Sequence, residues 1–140
     1  MRFVDTNILL YSLELYPVQP TKAAIATEIL TGHDLVLSVQ VLQEFYVQAT
    51  HLRRPDALPH DLATRLIQKW LRFRIQETTV AVLQSALLLK DRFQTSYWDA
   101  AILAAAKAAR CRQLLSEDLN HGQDYDGITV VNPFRDVGDS

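Results

Sequence analysis

Four carboxylates sit in apolar surroundings that ordinarily exclude acids. Asp5 directly follows Phe3-Val4, Glu44 lies beside Leu42 and Phe45, Asp99 stands between Trp98 and Ala100, and Asp118 comes shortly after Leu114-Leu115. Such an acid costs free energy unless it is paired or holds a cation. Brought together, the four would repel one another and their pKa values would rise. A hard divalent ion removes that conflict. Oxygen donors with no competing Cys or His pair suit Mg²⁺ or Mn²⁺. A site of this kind does phosphoryl chemistry: it polarises a phosphate, activates a water and stabilises the leaving oxygen. Each acid also has a local explanation. Asp99 lies three residues after Ser96, the spacing of a capping box, and Asp5 suits a turn or a helix cap. Glu44 suits a solvated helix face and Asp118 a loop cap, with Glu117 beside it as a rival ligand. Taken singly the local explanations prevail; taken together, the four positions favour one metal site.

The positions matter because of the elements that carry them. Residues 2–5 read as a short strand, and Asn7–Leu15 as a helix that stops before Pro17. Thr21 is placed to cap a helix through Leu30, with Gly32 as its stop. Leu35–Leu37 reads as a buried strand, and Ser38 as the N-cap of a helix to about His51. Residues 53–58 form a loop, and Pro59 and Asp61 open a helix whose apolar residues run from Leu62 to Leu71. Residues 74–78 read as a strand. Thr79 and Ser96 cap two more helices, and Gln113–Leu115 and Ile128–Val131 read as strands, with Gly122 and Gly127 bracketing the loop between them. Short, continuously apolar strands alternating with helices predict a parallel sheet covered on both faces. Ligands of such sheets sit beyond the carboxyl ends of the strands. If the first and fourth strands are adjacent, Asp5 and Asp118 emerge side by side, and helix starts supply Glu44 and Asp99.

Composition narrows the classes further. The 140 residues, 49% of them hydrophobic and 21% charged, predict one domain over 1–140 with its own core. A formal charge of −2 excludes binding to nucleic acid by bulk charge. The single Cys, Cys111, allows no internal disulfide and no cysteine zinc site, and reads as a partly buried thiol. His33, His51, His60 and His121 are scattered and read as surface residues. Asp5 and Asn7 interrupt any export signal, and the apolar run Ala100–Ala106 is too short for a bilayer, so the expectation is a cytoplasmic protein with no membrane partner.

The ordered motifs Phe-Val-Asp-Thr-Asn-Ile-Leu-Leu, Leu-Gln-Glu-Phe, Tyr-Trp-Asp-Ala-Ala-Ile-Leu-Ala-Ala-Ala, Leu-Leu-Ser-Glu-Asp-Leu and Val-Val-Asn-Pro-Phe resemble those of a PIN domain. The resemblance is to the small VapC-type toxins of bacterial toxin–antitoxin pairs above all, and it extends from residue 3 to residue 134. It implies a three-layer α/β/α sandwich with a short central parallel sheet and a metal-dependent endoribonuclease activity. By it, Asp5, Glu44, Asp99 and Asp118 are the acidic quartet. Asp5, Asp99 and Asp118 would be the main ligands of Mg²⁺ or Mn²⁺, and Glu44 would bind a second metal or orient the attacking water. Thr6, Asn7 and Ser116 match polar positions that assist metal or water. The resemblance further implies an RNA substrate, a cognate antitoxin that covers the acidic site, and a homodimer. Two alternatives are a housekeeping PIN nuclease in RNA processing and a non-catalytic RNA- or protein-binding module. The motifs weaken other metal–phosphate folds: position 7 is Asn where a haloacid-dehalogenase-like phosphatase wants Asp, and no Gly-x-Ser-x-Gly elbow or glycine-rich phosphate loop is present.

An RNA substrate needs positive charge. Residues 53–74 carry six basic residues, Arg53, Arg54, Arg65, Lys69, Arg72 and Arg74, against Asp56 and Asp61. Residues 113–140 carry one Arg against six acids, Asp139 among them. Arg53, Arg54, Arg65, Lys69 and Arg72 are therefore candidates for backbone phosphates, or else a solvated helix face. Tyr97 and Trp98 are placed to stack a splayed base, although a Trp at such a position more often belongs to the core.

Overall fold

The computed structural model describes residues 1–137; Asp139 lies outside the described residues. Six strands form one sheet: β1 (Arg2–Val4), β2 (Leu35–Ser38), β3 (Arg74–Gln76), β4 (Gln113–Leu115), β5 (Asp124–Tyr125) and β6 (Ile128–Val131). Their order is β3-β2-β1-β4-β6-β5, and every pairing is parallel except β5 with β6. β1 and β4 are neighbours, with Val4 opposite Leu115. The helices are α1 (Thr6–Ser12), α2 (Pro20–Ile29), α3 (Val39–Ala49), α4 (His60–Trp70), α5 (Val80–Phe93) and α6 (Tyr97–Ala108). The chain steps outward from β1 to β3 and then returns to the other side of β1. Right-handed crossovers therefore place α1–α4 on one face and α5 and α6 on the other. The point of reversal lies between β1 and β4, where α/β sheets open their ligand crevice.

Local chemistry explains most boundaries. Ser38, Thr79 and Ser96 each accept the backbone N–H three residues on, of Val41, Val82 and Asp99, and so cap α3, α5 and α6. β2 is buried along its whole length, and α6 buries every residue from Ala100 to Ala106, which lets a helix of small side chains lie close against the sheet. Phe3, Ile8, Leu9, Phe45, Leu103 and Leu114 are fully enclosed in the core. The apolar residues of α1 and α2 that face inward, Ile8, Leu9, Ala23 and Ala26, belong to this core. Cys111 is buried, and burial pushes its thiol pKa up. All four histidines are exposed.

Several elements differ from the sequence-based expectation. Thr21 does not cap α2; Pro20 takes the first helical position, where its missing N–H is harmless. α2 ends in right-handed geometry at Leu30, so Gly32 is not its left-handed stop; Gly32 instead leaves room for Arg2 and Asp34, which pair at 2.8 Å. α1 stops at Ser12, three residues short of Leu15, and Glu14 follows with φ 55°. The expected loop around Gly122 and Gly127 contains β5. Asp126 (φ 56°) and Gly127 (φ 96°) both take positive φ, as a tight hairpin turn demands, so the sheet is mixed at this edge rather than parallel throughout.

Candidate active site

The site is assembled at the carboxyl ends of β1, β2 and β4. Asp5 caps α1, and its Oδ1 accepts the Thr6 amide N–H at 2.7 Å. Its Oδ2 accepts the hydroxyl of Ser116 at 2.7 Å. Ser116, wholly buried just past β4, also accepts the Asp118 amide N–H at 3.1 Å. Thr6 Oγ1 donates to Glu44 Oε2 at 3.0 Å across α1 and α3. Gln40, one turn before Glu44, donates to Glu44 Oε1 at 3.0 Å and to the Trp98 carbonyl at 3.3 Å, tying α3 to the start of α6. Asn7 Nδ2 donates to Asp118 Oδ2 at 3.2 Å.

These contacts gather Asp5, Thr6, Asn7, Glu44, Asp99 and Asp118 around one cleft of about 80 Å³. The adjacency of β1 and β4 is what places Asp5 beside Asp118. All four expected acids line the cleft, and the three expected helpers either line it or hold its walls. Glu117 faces elsewhere: it accepts hydrogen bonds from Tyr11 and, at 3.0 Å, from Lys22. The capping explanation for Asp99 holds in part, since its amide N–H donates to Ser96 Oγ at 3.1 Å while its side chain faces the cleft. Trp98 is a correction to the core expectation. It is 63% exposed, because the buried run of α6 begins only at Ala100 and Trp98 precedes it on the helix's first turn. Gln40 and Gln48 at the site carried no signal in the sequence, since glutamine on an amphipathic helix is unremarkable until its partners are known.

The electrostatics follow from burial. Desolvation, and then the nearby Asp118 and Glu44, push the Asp5 carboxyl up to about 7, against the lowering effect of its two hydrogen bonds. Asp99 is also raised, by burial first and then by Asp118 and Glu44. Among the described residues, no three His, Cys, Asp or Glu side chains close round one point, so the acids line a cleft rather than a cage. Even so, the donor set suits a hard divalent ion. Every ligand is oxygen, and Asn7 Oδ1 is buried with no hydrogen-bond partner. Mg²⁺ in particular keeps several waters and takes only one or two carboxylates directly, the remaining places going to substrate phosphate.

The basic stretch divides. Arg54 shares a hollow with Asn7, Glu14 and Glu117 beside the cleft, its Nε donating to the Gln48 carbonyl at 2.8 Å. Arg72 donates to the Leu30 carbonyl at 3.2 Å and flanks, with Met1, Gly32 and Arg74, the amino ends of the strands, the opposite end of the sheet; Lys69 lies with it beside Leu30. Arg53 and Arg65 are exposed. The six residues thus do not form one patch.

A short, mainly parallel sheet between helical layers, with four carboxylates at the point where strand order reverses, defines an acidic-cleft α/β protein. The family model of the PIN domain matches residues 2–123, and the chain belongs to that family. No curated protein matches the chain by sequence. Solved structures share the fold. One is a toxin–antitoxin complex from Klebsiella pneumoniae, 22% identical with TM-score 0.67, the match covering 95% of this chain and 98% of that one. FitAcB from Neisseria gonorrhoeae is 20% identical with TM-score 0.70, covering 96% and 99%. The sarcin–ricin loop cleaving toxin VapC20 of Mycobacterium tuberculosis is 18% identical with TM-score 0.62, covering 84% and 92%. Among the described residues no helix is long and apolar enough to cross a membrane.

Proposed function

We propose that this chain is a divalent-metal-dependent endoribonuclease and the toxin of a toxin–antitoxin pair. The observation that carries the reading is the convergence of Asp5, Glu44, Asp99 and Asp118 on one cleft, which Asn7 also lines. The family membership and the toxins among the structural relatives support it. Asp5, Asp99 and Asp118 would hold Mg²⁺ or Mn²⁺, with Glu44 as a further ligand or as the group that orients water. The bound ion would supply charge for the phosphate and for an attacking hydroxide at neutral pH. The chain's own work is positional. Ser116 and the Thr6 amide hold Asp5, Thr6 and Gln40 hold Glu44, and Asn7 steadies Asp118. The α1–α3 side offers Arg54 for substrate phosphate.

The same reading extends to partners. An antitoxin would cover the acidic cleft, and α5 leaves Val80, Leu83, Leu87 and Leu88 exposed as an apolar face for a second copy. Strands from Arg2 to Val131 in one sheet support a single domain. The test is RNA cleavage by the purified chain with Mn²⁺ or Mg²⁺. Cleavage that chelator abolishes, and that Asp5→Asn and Asp99→Asn lose with the fold intact, is the expected result. Equal metal-dependent cleavage by either variant overturns the assignment. Sequencing the 5′ ends of RNA fragments after brief expression names the target.

A further inference from the structure

The acidic cleft has a neighbour of different chemistry. Gln40, Gln43, Glu44, Val47 and Gln48 recur at the spacing of one helical face along α3, and with Trp98 they line an open hollow of about 400 Å³. Glu44, Gln48 and Trp98 belong to both the cleft and the hollow, so the two are continuous. Trp98 is 63% and Val47 61% exposed, so both present apolar surface beside the charged site. Tyr97 packs against the Trp98 ring edge to face at 5.1 Å, and the Trp98 carbonyl is held by the buried Gln40.

Among the described residues no Lys or Arg lines this hollow, and Glu44 faces it, so a phosphate finds no partner among them. A nucleobase does: it is neutral, it has an apolar face for Trp98 and Val47, and its edge carries the donors and acceptors that an amide matches in both senses. Gln43 and Gln48 are exposed and available to read that edge. Resting on the ribonuclease reading above, we propose that the hollow between α3 and the start of α6 is a nucleobase subsite, in which Trp98 stacks an unpaired base of single-stranded RNA next to the phosphate in the cleft, with Gln43 and Gln48 at its edge. It ties substrate choice to unpaired RNA, because a base within a duplex cannot reach the ring.

The experiment uses the full chain with Mn²⁺ and short single-stranded RNA, reading initial rates against substrate concentration. Trp98→Leu, which keeps bulk and loses the π face, is expected to raise KM by about 5- to 150-fold, the range of one aromatic–base stack, with a smaller change in kcat. Trp98→Phe restores most of the loss. Substrates with single abasic positions locate the base: one such substrate costs the wild type the same factor and costs Trp98→Leu nothing further, the coupling expected of groups in contact. An unchanged KM in Trp98→Leu overturns the subsite while leaving the nuclease reading intact. So does a loss that is the same for every abasic substrate. A Trp98→Leu chain that cleaves like wild type but escapes its antitoxin also overturns it, and assigns the surface to a protein partner. A wild type that cleaves no RNA brings down the nuclease reading and the subsite with it.

Discussion

Ser116 Oγ lies 2.7 Å from Asp5 Oδ2 and donates to it across the paired ends of β1 and β4. The same oxygen accepts the amide of Asp118 at 3.1 Å, so one buried hydroxyl sets two of the four acids. Its bond to Asp5 opposes the upward push of burial. Ser116→Ala is therefore expected to raise the Asp5 pKa further above about 7 and to move the alkaline rise of the pH–rate profile upward. Cleavage at neutral pH should fall about 10- to 100-fold, as for a lost partner of a metal ligand, and recover in part as pH increases. A uniform loss at every pH would show that Ser116 acts on something other than Asp5.

Glu117 and Asp118 are adjacent in sequence and separate in role. Glu117 is bound by Lys22 at 3.0 Å and by Tyr11, whereas Asp118 meets Asn7 at 3.2 Å on the cleft wall. Asp118→Asn should lose about 100-fold or more in cleavage, beyond the cost of a supporting contact. Glu117→Gln should stay within a few-fold of wild type and instead lower thermal stability, by about 1 kcal/mol for a half-buried charged hydrogen bond. The paired kinetic and melting measurements distinguish the two; the opposite ranking would move the ligand to Glu117.

The legible part of this molecule was the part written in local chemistry. Ser38, Thr79 and Ser96 announce helix starts by side-chain caps, and all three do cap. The buried run Leu35–Leu37 announces an interior strand. Asp5 and Asp118 could be joined because a parallel sheet has few orders, and the observed one makes β1 and β4 neighbours. What stayed hidden depends on what lies opposite. Gln40 is a site residue only because Glu44 and the Trp98 carbonyl are both within its reach. Trp98 is exposed because the buried run of α6 begins only at Ala100. The basic stretch read as one patch in sequence, yet Lys69 at the end of α4 and Arg72 just past it lie together beside Leu30, and Arg72 flanks the far end of the sheet. β5 is a different miss: Asp126-Gly127 is a strong hairpin signal, but two residues are too few for a strand pattern to show.

α5 offers a test of self-association. Val80, Leu83 and Leu87 form a stripe at i, i+3 and i+7, with Leu88 beside it, and all four are exposed. A second copy burying this stripe would make the chain a dimer by light scattering at micromolar concentration. Leu87→Arg should convert it to a monomer with its melting temperature lowered only by the lost association. A wild type already monomeric at high concentration, or a dimer indifferent to Leu87→Arg, places the interface elsewhere or removes it.

The buried Asp5 also makes stability depend on pH, in a direction opposite to that of an ordinary salt-bridged carboxylate. Its pKa rises on folding from 3.8 to about 7, so the folded state binds the proton more tightly than the unfolded chain does. The group's contribution is then fully present below about pH 4 and is lost as pH rises through about 7. Asp99, raised by burial and by the same acidic neighbours, adds to the slope. In chelator, the wild type should lose on the order of 2–4 kcal/mol between these limits from Asp5 alone. Asp5→Asn, which carries no charge to bury, should flatten the curve and match or exceed the wild type at pH 8. Adding Mn²⁺ at pH 8 should restore the wild type, because a cation supplies the charge the cleft lacks, and do much less for Asp5→Asn. Denaturant melts over this range, with and without Mn²⁺, measure all of these effects. Parallel profiles for the two proteins would mean that the Asp5 charge is already compensated within the chain, and would remove the electrostatic reason for a metal in this cleft.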